Sequence, residues 1–338
     1  MLGVVTGCAG GSQPAPDART ALNGGFVSAS GRLVAKAGPI PLAPSGPHRG
    51  SLKGRGDLFV TLDTTSAAGV DVLRNKTWKE VGAFTASGMS CLSADWIDNK
   101  GNLYVADYEE DYTCSGPNTP GIYEFPRGSS TPSFVYTTGL IDPINLTTDR
   151  QGNVYVTDFL GGELDEYPQD SNTLSHQCAP PSGDGSVEGV AVDGHGDVFM
   201  VSGTSHSPWN AYLYEYVGGL NGCSATLLAT FPFFQGGMAL DKRQNLLLVD
   251  QTDNAVDVIP PPYTAIASQI SAYQAFTVTI NKQNSQIYIA AYPFVGYLTG
   301  AGAVYIDSYP SGSNIATLVP SDGVINPSGA VDTLNYVP

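Results

Sequence analysis

One pattern recurs along this chain: an Asp, three residues that end in or near Gly, and then a short alternating apolar run. It reads Asp98-Asn99-Lys100-Gly101-Asn102-Leu103-Tyr104-Val105-Ala106-Asp107 in its first full copy. It returns from Asp149 to Asp158, from Asp193 to Ser202 and from Asp241 to Asp250, with a degenerate copy running from Asn281 to Ala290. The anchors are 51, 44, 48 and 40 residues apart, a spacing that suits a β-propeller with one four-stranded sheet per unit. In that reading the apolar run before each anchor, such as Gly189-Val190-Ala191-Val192, lies innermost, where small residues suit the crowding. The Asp and Gly make a tight turn, with Gly accepting the positive φ that other residues resist. The strand after the turn is buried on both faces between neighbouring units.

A second marker has the same period. Gly121-Ile122-Tyr123-Glu124-Phe125-Pro126 returns as Gly162 to Pro168, and more loosely at Tyr212–Tyr216, Val256–Pro260 and Val304–Pro310. This is the third strand of each unit, and Pro stands where the hydrogen-bonded ladder must stop. Fourth strands are weaker, at Ser133–Tyr136, Ala225–Leu228 and Ile315–Val319. The two ends complement each other. Gly56 to Thr61 matches a second strand with no inner strand before it, and Ser328 to Asp332 matches an inner strand followed only by Thr333 to Pro338. The sequence therefore predicts an all-β, six-bladed propeller of four-stranded antiparallel blades, closed by the C-terminal strand completing the first blade. Closure leaves no sheet edge open around the ring, and a monomer is expected. Residues 23–47 lack the repeat, so no seventh blade is expected. The predicted organisation is a truncated signal remnant at 1–8, a Pro/Gly/Ser-rich tether and lead-in at 9–51, and one propeller at 52–338.

The sequence Asp-x-x-Gly-Asn-Leu-Tyr-Val-Ala-Asp, followed by Gly-x-Ile-x-Glu-Phe, resembles the NHL repeat of the six-bladed propeller superfamily. That superfamily also contains gluconolactonase- and regucalcin-like lactonases, strictosidine synthase-like proteins and streptogramin lyase-like proteins. The resemblance runs from about Leu52 to the C-terminus. It implies an architecture, because the repeat encodes blade geometry rather than chemistry.

The N-terminal residues point to export. Val5-Thr6-Gly7-Cys8 resembles a bacterial lipobox, whose cysteine is lipidated, so Cys8 is the expected lipidation site. The expected location is the bacterial cell envelope, lipid-anchored or periplasmic/extracellular. A basic n-region is missing and the apolar run is short, so the start is read as truncated. Cys91, Cys114, Cys178 and Cys223 remain, an even number that allows the disulfides Cys91–Cys114 and Cys178–Cys223 in an oxidising compartment. Four free buried thiols would be the cytosolic alternative. The formal net charge is −16, from 15 basic and 31 acidic residues. Such a balance disfavours nucleic acid and favours a cationic ligand or divalent metal.

Candidate site residues gather at one end of the ring, called the top, where inner strands begin and second strands end. Asp107, Asp158, Ser202 and Asp250 follow second strands, while Asn145, Glu188, Gln235 and Asn326 lie near the starts of inner strands. Carboxylates and amide oxygens suit Ca2+ or another hard cation. The resemblance to lactonases implies a divalent ion held by Glu, Asn and Asp, for which Glu188, Asn145 and Asp250 are the candidates. Asp107, Asp158 and Asp250 belong to the repeat, and accepting backbone N–H bonds suits them equally. Two top loops stand out: Tyr108 to Pro120, with Glu109-Glu110-Asp111 between two tyrosines, and Gly203 to Asn210, with His206 and Trp209. No CxxC pair, HExxH, phosphate loop or GxSxG occurs in the sequence, which removes redox, zinc-protease, nucleotide and common serine-hydrolase readings. Two functional readings lead: an exported, non-catalytic binding or scaffold module for a protein, carbohydrate or small molecule, and a metal-dependent, lactonase-like hydrolase. A lyase resembling the streptogramin lyases would need His206.

Overall fold

The computed structural model describes residues 40–42, 57–63, 68–74, 76–108, 119–181, 185–204, 208–291, 302–320 and 326–332. They form six antiparallel sheets, each with four strands in antiparallel order. Listed from the inner strand outward, blade 2 is Leu92–Ile97, Leu103–Asp107, Gly121–Phe125 and Phe134–Tyr136. Blade 3 is Pro143–Thr148, Val154–Asp158, Glu163–Tyr167 and His176–Cys178. Blade 4 is Ser186–Val192, Val198–Gly203, Ala211–Tyr216 and Thr226–Phe231. Blade 5 is Gln235–Leu240, Leu246–Asp250, Ala255–Ile259 and Ser268–Ser271. Blade 6 is Ala275–Ile280, Gln286–Ala291, Ala303–Ser308 and Ser313–Pro320.

Blade 1 joins the two ends of the chain. Asn326–Asp332 is its inner strand and pairs antiparallel with Asp57–Asp63, with Leu58 opposite Asp332 and Val60 opposite Ala330. Gly69–Arg74 and Lys79–Phe84 complete it. Side chains of blade 6 fasten the closing strand. Thr277 Oγ1 donates to the Ser328 carbonyl at 3.1 Å, Thr279 Oγ1 to the Ala330 carbonyl at 2.6 Å, and the Tyr288 hydroxyl to Asp332 Oδ2 at 3.0 Å. Each inner strand touches the inner strands on both sides, so the sheets circle a common axis. From the lead-in, Ile40–Leu42 adds a fifth, parallel strand on the outer edge of blade 6, against Leu318 to Pro320.

The core follows from this geometry. Strand residues alternate between the two faces of a sheet, and both faces of a blade are covered by its neighbours. The buried apolar residues accordingly divide into six clusters, one per seam between blades. Fully burying one such Val, Leu or Ile side chain stabilises the fold by about 1.5–3 kcal/mol.

The anchor turns show why Asp recurs. Asp149 Oδ1 accepts the backbone N–H of Gln151, Gly152 and Asn153 at 2.8–2.9 Å, and its Oδ2 accepts Asn153 Nδ2. Asp98, Asp193 and Asp241 make the same wrap, and Asn281 Oδ1 replaces the carboxylate in the degenerate copy. Gly152 sits at φ 96°; Gln244 and Asn284 take the equivalent left-handed position in blades 5 and 6, at φ 64° and 59°.

The expected Cys178–Cys223 disulfide is present, with a Cα–Cα distance of 5.3 Å. It ties the outer strand of blade 3 to the short 3-10 turn Asn221–Cys223, which precedes the outer strand of blade 4. Because Cys223 lies in that turn and not on the strand, the two cysteines meet without needing aligned positions along their strands. Cys91 is also disulfide-bonded, whereas Cys114 and Cys8 lie outside the described residues. No helix of the described residues is long and apolar enough to cross a membrane.

Candidate functional site

Every inner strand carries an irregularity in its pairing close to its top end. Such a bulge leaves an extra residue unpaired and re-aims its side chain. In blade 4 that residue is Glu188, between Val187 and Gly189 in the register. The corresponding residues elsewhere are Ser93, Ile144, Phe276 and Ser328. Glu188 is buried and its Oε1 accepts from Ser186 Oγ at 3.3 Å.

One level deeper, the inner strands place Ala94, Asn145, Gly189, Gly237, Thr277 and Gly329 at equivalent positions. Asn145 is the large polar member of this small-residue ring. Its Nδ2 fills the space that a Cβ on Gly237 would need, so the side chain reaches from blade 3 to blade 5, in front of Gly189. Thr157 Oγ1 lies 3.3 Å from the Asn145 carbonyl and 3.2 Å from the Glu188 carbonyl. Thr157 thus bridges the main chains at Asn145 and Glu188 across the seam between blades 3 and 4.

The rim aspartates are otherwise engaged. Asp107 accepts the backbone N–H of Ser90 at 3.0 Å and of Cys91 at 2.8 Å. Asp158 accepts those of Ile141 at 2.6 Å, Asp142 at 2.8 Å and Gly161 at 2.9 Å. Asp250 accepts from Asp253 N at 2.9 Å, and burial pushes its carboxyl up to about 7. Each carboxylate pins a top loop to its own blade. Asp250 faces the seam between blades 4 and 5, directly opposite Gln235, and so stands apart from the Asn145–Glu188 pair. Among the described residues no group of three or more His, Cys, Asp or Glu side chains is arranged to hold a metal ion. Trp209 is half-buried and packs edge-on against Phe234, with ring centroids 5.0 Å apart. His206 and residues 109–118 lie outside the described residues, as does the side chain of Asn326.

One buried polar residue, Asp95, escaped the sequence reading. Asp95 occupies an inner-strand position that is Leu146, Val190, Met238 or Val278 in other blades. Its Oδ2 accepts from Thr61 Oγ1 at 3.3 Å, its Oδ1 has no hydrogen-bond partner, and burial raises its pKa well above the usual carboxylate range. Gln235 is fully buried against Gly203, with neither amide atom hydrogen-bonded. Aligning the repeats position by position would have exposed Asp95 as a polar exception in an apolar column, whereas the sequence already places Gln235 at the top.

No protein-family model matches this chain, and no curated protein matches it. Solved structures do. A chain in the crystal structure of a nidogen/laminin complex aligns with a TM-score of 0.65 at 16% identity, over 83% of this chain and 99% of that one. A protein of unknown function from Bacteroides caccae aligns at 0.59 and 11% identity, over 82% and 99% of the two chains. The likeness is one of fold. At such identities it carries the six-bladed architecture and leaves chemistry to be argued from the site.

Proposed function

We propose that this chain is a non-catalytic propeller that acts as a binding or scaffold module in an oxidising, extracytoplasmic compartment. The observation that carries the reading is the use of the rim carboxylates: Asp107 and Asp158 each accept two or more main-chain N–H bonds. Residues so engaged build a rigid rim, and loops held on a rigid scaffold are where binding concentrates. The Cys178–Cys223 disulfide supports the compartment. The chain of similar fold crystallised in a nidogen/laminin complex is a precedent for a propeller in a protein assembly.

A second reading, a lactonase-like hydrolase, draws on the buried Asn145 and Glu188 standing on the adjacent inner strands of blades 3 and 4, whose main chains Thr157 bridges. Those two residues would supply one amide and one carboxylate oxygen to a hard cation. The full chain, dialysed against Ca2+, Mn2+ and Zn2+ in turn, should retain substoichiometric metal by elemental analysis. It should hydrolyse aldonolactones and butyrolactones no faster than buffer. Retention of one equivalent of metal, with lactone turnover that disappears in Glu188→Gln, would replace the binding-module reading with the hydrolase.

A further inference from the structure

Aromatic exposure is concentrated at one end of the ring. Six aromatic side chains among the described residues are not buried, and all but Phe134 lie at the top. Tyr273 is the most exposed of them, at 46%. It stands in the loop between Ser268–Ser271 of blade 5 and Ala275–Ile280 of blade 6. Trp209 stands in the top loop of blade 4, where its ring leans on Phe234.

One turn of blade 5, residues 251–254, connects the two rings. At its start the Gln251 N–H donates to the Phe234 carbonyl at 2.9 Å, and the Phe234 N–H donates to Thr252 Oγ1 at 2.8 Å. At its end the Asn254 carbonyl accepts the Ala272 N–H at 2.8 Å, and Asn254 Oδ1 accepts the Gln274 N–H at 2.9 Å. Tyr273 is held between those two anchored residues. In the middle, the Asp253 N–H donates to buried Asp250 at 2.9 Å. Asn254 adopts φ 54°, at the place where the matching turn of blade 3 has Gly162. An amide side chain is thus kept where the backbone favours glycine. Asn254 Nδ2, the Gln274 amide and the Tyr273 hydroxyl donate to no acceptor among the described residues, and all three side chains reach solvent.

Fixed rings beside unpaired amides match the chemistry of a sugar, which presents hydroxyls at its edge and C–H groups on its faces. An aromatic ring with a polar tip covers a C–H face, and amides both donate to and accept from hydroxyls. Ionic ligands match less well. Every Lys and Arg among the described residues lies at the opposite end of the ring, so an anion meets no counter-charge here. Asp253 is the one exposed carboxylate of the patch, among three amides.

We infer that the rim over blades 4 to 6 binds a neutral saccharide, with Trp209 and Tyr273 as ring platforms and Gln251, Asp253, Asn254 and Gln274 as hydroxyl partners. This assignment rests on the binding-module reading and names its ligand. Metal retention with lactone turnover would remove both; failure to bind sugars would remove this ligand class alone.

The test is native electrophoresis of the full chain through gels cast with dextran, laminarin, mannan or xylan, and with polygalacturonate as the anionic control. Retardation by at least one neutral polymer is expected, and none by polygalacturonate. Oligosaccharides of the retarding polymer are then titrated against tryptophan fluorescence. Trp78 and Trp96 are buried, so a saturable change reports Trp209. It should persist in about 1 M salt, where the Debye length is about 3 Å. Tyr273→Ala and Trp209→Ala should each weaken retardation roughly tenfold or more, as loss of an aromatic anchor does at binding surfaces. Tyr273→Phe, which keeps the ring, should lose less, and unchanged circular dichroism melts would confirm that the variants fold. Free migration in every neutral gel would overturn the inference. So would binding that high salt abolishes, which would assign the rim to a charged ligand, or binding that both alanine variants retain in full.

Discussion

Asp158 illustrates how a residue that looks like a ligand becomes a structural fastener. Its carboxylate gathers three main-chain N–H groups, two from the loop that enters blade 3 and one from the turn that leaves its second strand. Asp158→Ala would strand these donors in a site where the residue is 1% exposed. A loss on the order of 3 kcal/mol is expected by denaturant titration, because each buried unsatisfied group costs roughly 1–3 kcal/mol. Asp158→Asn, which keeps one acceptor oxygen, should lose less; equal stability of the Ala variant and the parent would contradict this role. The acceptor role was legible in the sequence, because the Asp recurs in register with the repeat. The reach of Asn145 was not, since its counterpart Gly237 stands two blades further along and only the ring brings them together.

At the scale of the element, the anchor turn tolerates imperfect residues at a measurable cost. Gln244 adopts φ 64° where earlier blades have Gly, and its Oε1 is buried without a hydrogen bond. Gln244→Gly is expected to stabilise the protein by about 1 kcal/mol, the usual cost of left-handed backbone for a residue with a Cβ. A shift of the denaturation midpoint to lower denaturant would contradict it. Inner, second and third strands of blades 2 to 5 were legible because apolar alternation and turn residues agree there. The outer strands Gly69–Arg74, Lys79–Phe84 and Ser268–Ser271 were not read. In Ser268–Ser271 only Ile270 is buried, so that edge leaves no period to read. The pairing of Ile40–Leu42 with blade 6 is set by a tertiary edge and has no local signal.

For the molecule as a whole, the buried carboxyls fix the direction of its response to pH. Burial pushes Asp165 and Asp250 up to about 7, and Asp257 and Asp307 up to about 6. In the unfolded chain the same groups ionise near about 3.9. The folded state therefore holds more protons between those values. The resulting stability is full below about pH 4 and is lost as pH rises through about 6 to 7, at about 1.4 kcal/mol per pH unit for each extra proton held. Thermal melts should show a higher Tm at pH 5 than at pH 7.5, and Asp165→Asn with Asp257→Asn should flatten the difference. A Tm that climbs across this interval would contradict the assignment. The six-bladed ring was predictable from the period of the repeat and the complementary ends.

Closure is the claim on which both the ring and the rim stand, and the pairing of Val60 with Ala330 is its most direct reporter. In a Val60→Cys/Ala330→Cys variant, oxidation followed by peptide mapping should recover the two segments joined through sulfur, with Cys178 still bonded to Cys223. Recovery of both new cysteines unlinked, in protein that retains its β-sheet circular dichroism, would show that the C-terminal strand lies elsewhere.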